Sequence, residues 1–201
     1  MNANLLLVED DEALRAMLVG LLESQGYAVA EAGNRQEALA RLQQEADTAV
    51  VILDLGLPPR PHETSEGLQT LRDLQAAAHP AKVIVLTGQD EEAAALAAIR
   101  EGAFDFLAKP AQSAAILQSV ARASLFALKE RELRAAGVAR IAINTPLGDG
   151  LKTVRADAEE RLVRQVLRET GFNVYQSAKR LGVRRENIYY FLKKFGIQRD
   201  D

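Results

Sequence analysis

Five short apolar runs alternate with amphipathic stretches over the first ~125 residues, and this rhythm constrains the fold more than any other feature. The runs are Leu5–Val8, Tyr27–Ala30, Val50–Leu53, Lys82–Leu86 and Phe104–Leu107. Short, nearly continuous apolar segments of this kind are strands buried on both faces, as parallel sheets require. Helical spacing between them predicts helices over about Glu12–Ser24, Arg35–Glu45, Glu66–Ala77, Glu91–Glu101 and Ser113–Leu133. Leu14, Met17, Leu18, Leu21 and Leu22 put one apolar stripe on the first helix, and Gly26 is placed to end it in a left-handed conformation. Five strand–helix units joined by right-handed crossovers form an α/β doubly wound sandwich. The last helix keeps its spacing through Ala114, Leu117, Val120, Ala121, Leu125 and Leu128, so it reads as a long helix that also serves as a connector.

Open α/β sheets collect their ligands at the carboxyl ends of the strands. Here those ends carry chemistry. Glu9 and Asp10 follow the first run, Asp54 the third, Thr87 the fourth, and Lys109-Pro110 the fifth. An aspartate can accept a phosphoryl group covalently. Mg²⁺ takes hard oxygen ligands, which the three acids supply. Lys109 can pair with a phosphate oxygen as a point charge, and Thr87 can donate to another. Each residue also has a plainer use. Asp10 or Asp11 is suited to capping the next helix, Thr87 to capping the fourth, and Lys109 to lying in solvent. Their joint occurrence on one rim favours a Mg²⁺-dependent phosphoryl acceptor.

The rest of the 201-residue chain differs in character. Residues 1–150 carry 13 basic and 21 acidic side chains, whereas residues 151–201 carry 12 and 7, so a net −8 precedes a net +5. An acidic front and a basic tail suggest a regulatory part joined to a nucleic-acid-binding part. Gly137 to Gly150 holds three glycines and one proline and reads as a linker, with Val138–Ile143 as a short extra strand. From Arg155 onward the pattern is helical. A stripe of Ala158, Leu162, Val163, Val166 and Leu167 precedes Gly171. Val174–Leu181 ends at Gly182, and a last helix runs from Arg185 to Phe195. Two short helices around a glycine turn are the layout of a helix-turn-helix. The expected domains are residues 1–125, a helix-and-linker segment 126–154, and residues 155–201.

The runs Leu7-Val8-Glu9-Asp10-Asp11, Leu53-Asp54-Leu55-Gly56-Leu57-Pro58, Leu86-Thr87-Gly88 and Gly102 through Pro110 resemble the receiver domain of two-component response regulators. The resemblance implies a flavodoxin-like five-stranded parallel sheet in the order 2-1-3-4-5. It implies that Asp54 takes phosphate from a sensor histidine kinase, and that Glu9, Asp10, Asp54 and the Gly56 carbonyl hold Mg²⁺. It further implies a cis Lys109–Pro110 peptide, the linkage at which cis is cheap, and switch roles for Thr87 and Phe106. Phe106 lacks the hydroxyl of the tyrosine often found at that position, so only packing can drive its rotation. The loop Pro58 to Glu66 is about five residues longer than the family's usual spacing before Gly67. In this it is similar to receivers linked to exopolysaccharide and exosortase gene clusters. His62 in that loop is expected in solvent, and His79 in a loop.

Residues from about 156 to 199 resemble the Fis-type helix-turn-helix through Ala178, Leu181, Gly182, Ile188, Leu192, Phe195 and Gly196. Ile188, Phe191, Leu192 and Phe195 share one helical face and are expected to pack inward. Arg185, Glu186 and Asn187 are the candidates for base edges. Arg184, Tyr189, Tyr190, Lys193 and Lys194 are the candidates for phosphates, with Lys179 and Arg180 as additions. The resemblance also implies a homodimer on promoter DNA, with Leu162, Val163, Val166 and Leu167 as its seam.

Cysteine is absent, which excludes disulfides and thiolate metal sites. No apolar run approaches the ~20 residues that span a bilayer, so no membrane partner is expected and the expected location is cytoplasmic. No Gly-x-x-x-x-Gly-Lys loop occurs, and the central ATPase of some regulators with both ends is not expected. The only enzyme-like acts expected are self-phosphorylation from a donor and slow self-dephosphorylation. The alternative to a transcription regulator is a phosphorylation-controlled signalling adaptor whose last helices only dimerise or bind protein.

Overall fold

A computed structural model describes residues 3–45, 47–77, 79–88, 91–138 and 150–198. Two compact units divide the chain, the first ending at Ala136. The expected strand over Val138–Ile143 lies almost wholly outside the described residues.

The first unit runs β1 (Asn4–Val8), α1 (Glu12–Ser24), β2 (Ala28–Ala32), α2 (Arg35–Gln44), β3 (Thr48–Leu53), α3 (Ser65–Ala76), β4 (Lys82–Thr87), α4 (Glu91–Arg100), β5 (Asp105–Ala108) and α5 (Ser113–Ala135). The five strands form one parallel sheet in the order β2-β1-β3-β4-β5. Alternation along β1 and β3 divides the core. Leu6, Val8, Val51 and Leu53 face α2, α3 and α4, where Leu42, Leu71 and Ala98 meet them. Leu5, Leu7, Val50 and Ile52 face α1 and α5, where Leu18, Leu22, Ile116 and Val120 meet them. Both faces are covered, which is why these strands carry almost no polar residues.

Local signals set the helix ends. The Asp11 carboxylate accepts from the Ala13 and Leu14 amides and so caps α1. Of the two acids left open as caps, Asp11 takes the task. Gly26 follows with φ 83°, a left-handed residue that stops the helix. β2 and β5 each begin one residue later than hydrophobicity suggests. Tyr27 and Phe104 are partly buried core residues just outside the ladder, so apolar character overestimates where pairing starts.

α5 continues to Ala135, and its last turns belong to the first unit rather than to a connector. Glu130 pairs with Lys82 at the start of β4, and Phe126 packs on Phe104 with ring centroids 5.4 Å apart. These contacts hold the polar end of the helix against the bottom of the sheet.

The second unit comprises α6 (Gly150–Glu169), α7 (Val174–Leu181) and α8 (Arg185–Lys194). α6 starts at Gly150, five residues before the expected start at Arg155. Val163, Leu167, Ala178, Ile188, Phe191 and Ile197 form its core. Gly182 turns the chain between α7 and α8 at φ 67°. No helix among the described residues is long and apolar enough to cross a membrane.

Candidate functional site

The parallel arrangement brings the carboxyl ends of β1, β3, β4 and β5 to one rim, and the expected groups meet there. Carboxylate oxygens of Glu9, Asp10 and Asp54 all lie within 4.8 Å of one another. Glu9 and Asp54 are only 2% and 7% exposed, while Asp10 is half-buried. The Glu9 amide donates to the Ala32 carbonyl (3.0 Å) and the Asp54 amide to the Val8 carbonyl (2.9 Å). Each strand end is thus tied to its neighbour one residue beyond the ladder.

Lys109 closes the cluster. Its Nζ donates at 2.6 Å to Glu9 Oε2 and at 2.6 Å to Asp54 Oδ2. The second Asp54 oxygen, Oδ1, accepts the Gly56 amide at 3.1 Å. The Lys109–Pro110 peptide is cis, as is Pro58–Pro59, which sequence reading did not anticipate. Thr87 is wholly buried at the end of β4, and its carbonyl accepts the Lys109 amide at 2.9 Å. Phe106 is partly buried against the α3–α4 side of the core.

The electrostatics mark a site short of positive charge. Burial, with the Asp54 charge beside it, pushes the Glu9 carboxyl above its ordinary range, and the Lys109 hydrogen bond only partly offsets this. Burial works against the Lys109 ammonium too. Hydrogen bonds to Asp54 and Glu9, with their charges, outweigh it and raise the lysine. One lysine faces three clustered carboxylates. Hard oxygen donors with an excess of negative charge fit a hard divalent cation.

Gly67 is a site residue that sequence reading named only as the end of a spacing. A Cβ there would lie 2.3 Å from Leu55 Cα and 2.7 Å from the Asp54 carbonyl oxygen. The third residue of α3 therefore passes directly against the backbone that carries Asp54, and the Gly67 amide donates to the Leu55 carbonyl. The longer loop before it is folded into turns. Arg60 pairs with Glu63 and Glu66 (3.4 and 3.2 Å), and His62 is exposed. His79 donates no ligand to the site: its Nδ1 accepts the Ala81 amide. Arg15 of α1 also touches the site, donating from Nη1 to the Glu9 carbonyl, and one arginine in an amphipathic helix gives no signal of this in the sequence.

In the second unit, Arg184, Arg185, Glu186, Asn187, Tyr189, Tyr190, Lys193 and Lys194 are all exposed. Ile188 and Phe191 are buried, and Leu192 and Phe195 are partly buried against the same core. Lys194 has a protein partner, Glu159, which raises its ammonium and occupies its charge. The expected dimer seam needs correction. Val163, Val166 and Leu167 are buried, and Val163 and Leu167 pack into one core with Ala178 of α7 and Ile188 and Phe191 of α8. Of the four residues, only Leu162 retains more than slight exposure.

The chain matches the response regulator receiver domain family over residues 5–121 and the bacterial regulatory protein, Fis family, over residues 154–195. It is similar to the KDP operon transcriptional regulatory protein KdpE of Escherichia coli (strain K12), 43% identical over 111 residues, covering 53% of this chain and 44% of that protein. It is also similar to the transcriptional regulatory protein FixJ of Azorhizobium caulinodans, 38% identical over 120 residues, covering 59% and 53%. The chain therefore spans about half the length of these curated relatives. Among solved structures, a response regulator protein from Burkholderia pseudomallei with a phosphorylated aspartic acid, calcium ion and citrate matches 92% of this chain and 95% of its own, at a TM-score of 0.54 and 28% identity.

Proposed function

Since the chain belongs to the response regulator receiver domain family, we propose that it is a phosphorylation-controlled transcription regulator, with Asp54 as phosphoryl acceptor and the helix-turn-helix as DNA-binding output. The observation that carries this reading is the bridging of Glu9 and Asp54 by Lys109 inside the acidic trio. The related Burkholderia structure with a phosphorylated aspartate and a bound divalent ion supports it.

An Asp54 oxygen attacks the phosphorus of a phosphohistidine on a sensor kinase. The new P–O bond forms as the P–N bond breaks, and the histidine leaves with the bonding pair. Catalysis is positioning and charge neutralisation. Mg²⁺, held by Glu9, Asp10, Asp54 and the Gly56 carbonyl, would offset the charge of the incoming phosphoryl group. The Gly56 amide keeps Asp54 Oδ1 oriented. Lys109 moves from the carboxylates to a phosphoryl oxygen, and Thr87 donates to another. Thr87 and Ala108 are partners in the β4–β5 register, so a shift of Thr87 reaches the neighbourhood of Phe106. Small-molecule donors replace the kinase in self-phosphorylation, and slow self-dephosphorylation resets the site. The long 58–66 loop leads into α3 beside Asp54 and alters kinase choice or phosphate lifetime.

On the output side, a homodimer presents two copies of α8 to promoter DNA. Arg185, Glu186 and Asn187 meet bases, and Arg184, Tyr189, Tyr190 and Lys193 meet phosphates. Lys194 contributes only if its pair with Glu159 opens.

Mass spectrometry after incubation with magnesium and acetyl phosphate tests the first half. The expected result is one phosphoryl group on Asp54 and none on an Asp54→Asn variant. Equal labelling of both overturns it. DNA retardation tests the second half. Binding is expected to weaken steeply with salt, and dimerisation without DNA binding hands the reading to the signalling adaptor.

A further inference from the structure

Arg15 stands in α1, behind the acidic pair rather than among it. Its Nη1 donates to the Glu9 carbonyl at 2.6 Å and reaches the Asp10 carbonyl at 3.4 Å. Its Nε donates to Glu31 Oε2 at 3.2 Å, one residue before the end of β2. The arginine side chain is 18% exposed and the glutamate 48%. A half-exposed pair of this kind contributes little stability by itself. Glu31 instead orients the guanidinium through its Nε, and this aims Nη1 at two consecutive carbonyls.

Those carbonyls belong to the two residues that present the acids. The Glu9 amide is already tied to Ala32. With Arg15 on its carbonyl, the backbone is held on both sides of the Glu9 side chain. Asp11, next in line, is held by the α1 amides. Three successive acids would otherwise repel one another and splay outward.

We infer that Arg15 is a positioning residue for the divalent cation: by clamping the Glu9 and Asp10 carbonyls it aims both carboxylates at one ion. The inference rests on reading Glu9, Asp10 and Asp54 as cation ligands. It differs in sign from a simple charge effect. Removing a positive group beside three carboxylates strengthens cation binding by Coulomb's law, whereas removing the clamp weakens it. Loss of outer-shell support weakens metal affinity by about 10-fold to 100-fold where it has been assessed generally.

Isothermal titration of magnesium into the full chain separates the two. Arg15→Ala is expected to bind magnesium about tenfold more weakly than wild type. Arg15→Lys keeps the charge but loses the separate Nε bond to Glu31 that orients the group, and is expected to fall between them, about threefold weaker. The magnesium needed for half-maximal acetyl phosphate labelling rises in the same order, and the labelling rate at saturating magnesium falls less. Affinity equal to or tighter than wild type in Arg15→Ala overturns the inference. If that variant does not fold, wild-type affinity in Arg15→Lys overturns it. Failure of the underlying reading looks different: wild type itself binds no magnesium, or Asp10→Asn leaves its binding unchanged.

Discussion

Replacing Gly67 with alanine is expected to destabilise the first unit although alanine is the better helix former. Carbon atoms in contact sit about 3.5–4.0 Å apart, while the new Cβ would lie 2.3 Å from Leu55 Cα. Its other near neighbour at 2.7 Å is the Asp54 carbonyl oxygen. Both are backbone atoms of a wholly buried segment, so α3 must retreat by about 1 Å or more. Its inner face carries Leu68, Leu71 and Leu74 against the sheet. A gap of that size forfeits about a quarter to a half of the affected dispersion contacts, and overpacking of this kind costs about 1–3 kcal/mol. The helix-propensity gain of alanine is about 1 kcal/mol in the opposite direction. The net expectation is a loss of up to about 2 kcal/mol, with weaker magnesium binding because the Asp54 carbonyl moves. Gly20 on α1 is the control, since a Cβ there meets nothing within 4 Å. Gly20→Ala is expected to stabilise by up to about 1 kcal/mol. Urea unfolding of the three proteins reads both effects. A Gly67→Ala variant stabilised like Gly20→Ala refutes the close-approach explanation.

Lys109→Met leaves Glu9 and Asp54 without their shared donor and is expected to cost about 2 kcal/mol near neutral pH; magnesium should restore much of it, and urea midpoints that ignore magnesium contradict this. Glu37 caps the start of α2 by accepting the Gly33 amide at 2.7 Å, and that bond holds its carboxyl below its ordinary value of 4.5. Its contribution is present above 4.5 and lost as pH falls through the depressed folded value. The stability difference between wild type and Glu37→Gln should therefore shrink in acid, and a pH-independent difference rules the account out. Gly182→Ala places a side chain at φ 67° and is expected to cost about 1 kcal/mol, read as faster amide exchange in α7 and α8. Unchanged exchange there would show that the left-handed turn is not what joins the two helices.

Much of the molecule is legible in the sequence for a physical reason. Strand burial on two faces forces apolar runs, so Val50 to Leu53 announces itself. A parallel order puts all strand ends on one side, so Glu9, Asp10, Asp54, Thr87 and Lys109 can be gathered without coordinates. The inward face of α8 follows from the spacing of Ile188 and Phe191, and its exposed face from what remains. What tertiary structure alone decided are matters of reach and occupancy. Asp11 rather than Asp10 caps α1, because the backbone path aims only one of them at the helix amides. Val163 and Leu167 read as a dimer seam from the sequence, and only the fold shows them packed into one core with α7 and α8. The end of α5 stays with the sheet because Lys82 and Phe104, far earlier in the chain than their partners Glu130 and Phe126, supply contacts that periodicity cannot show. Arg15 and Gly67 touch the site through backbone atoms, and a chain's letters record side chains, not the carbonyls they approach.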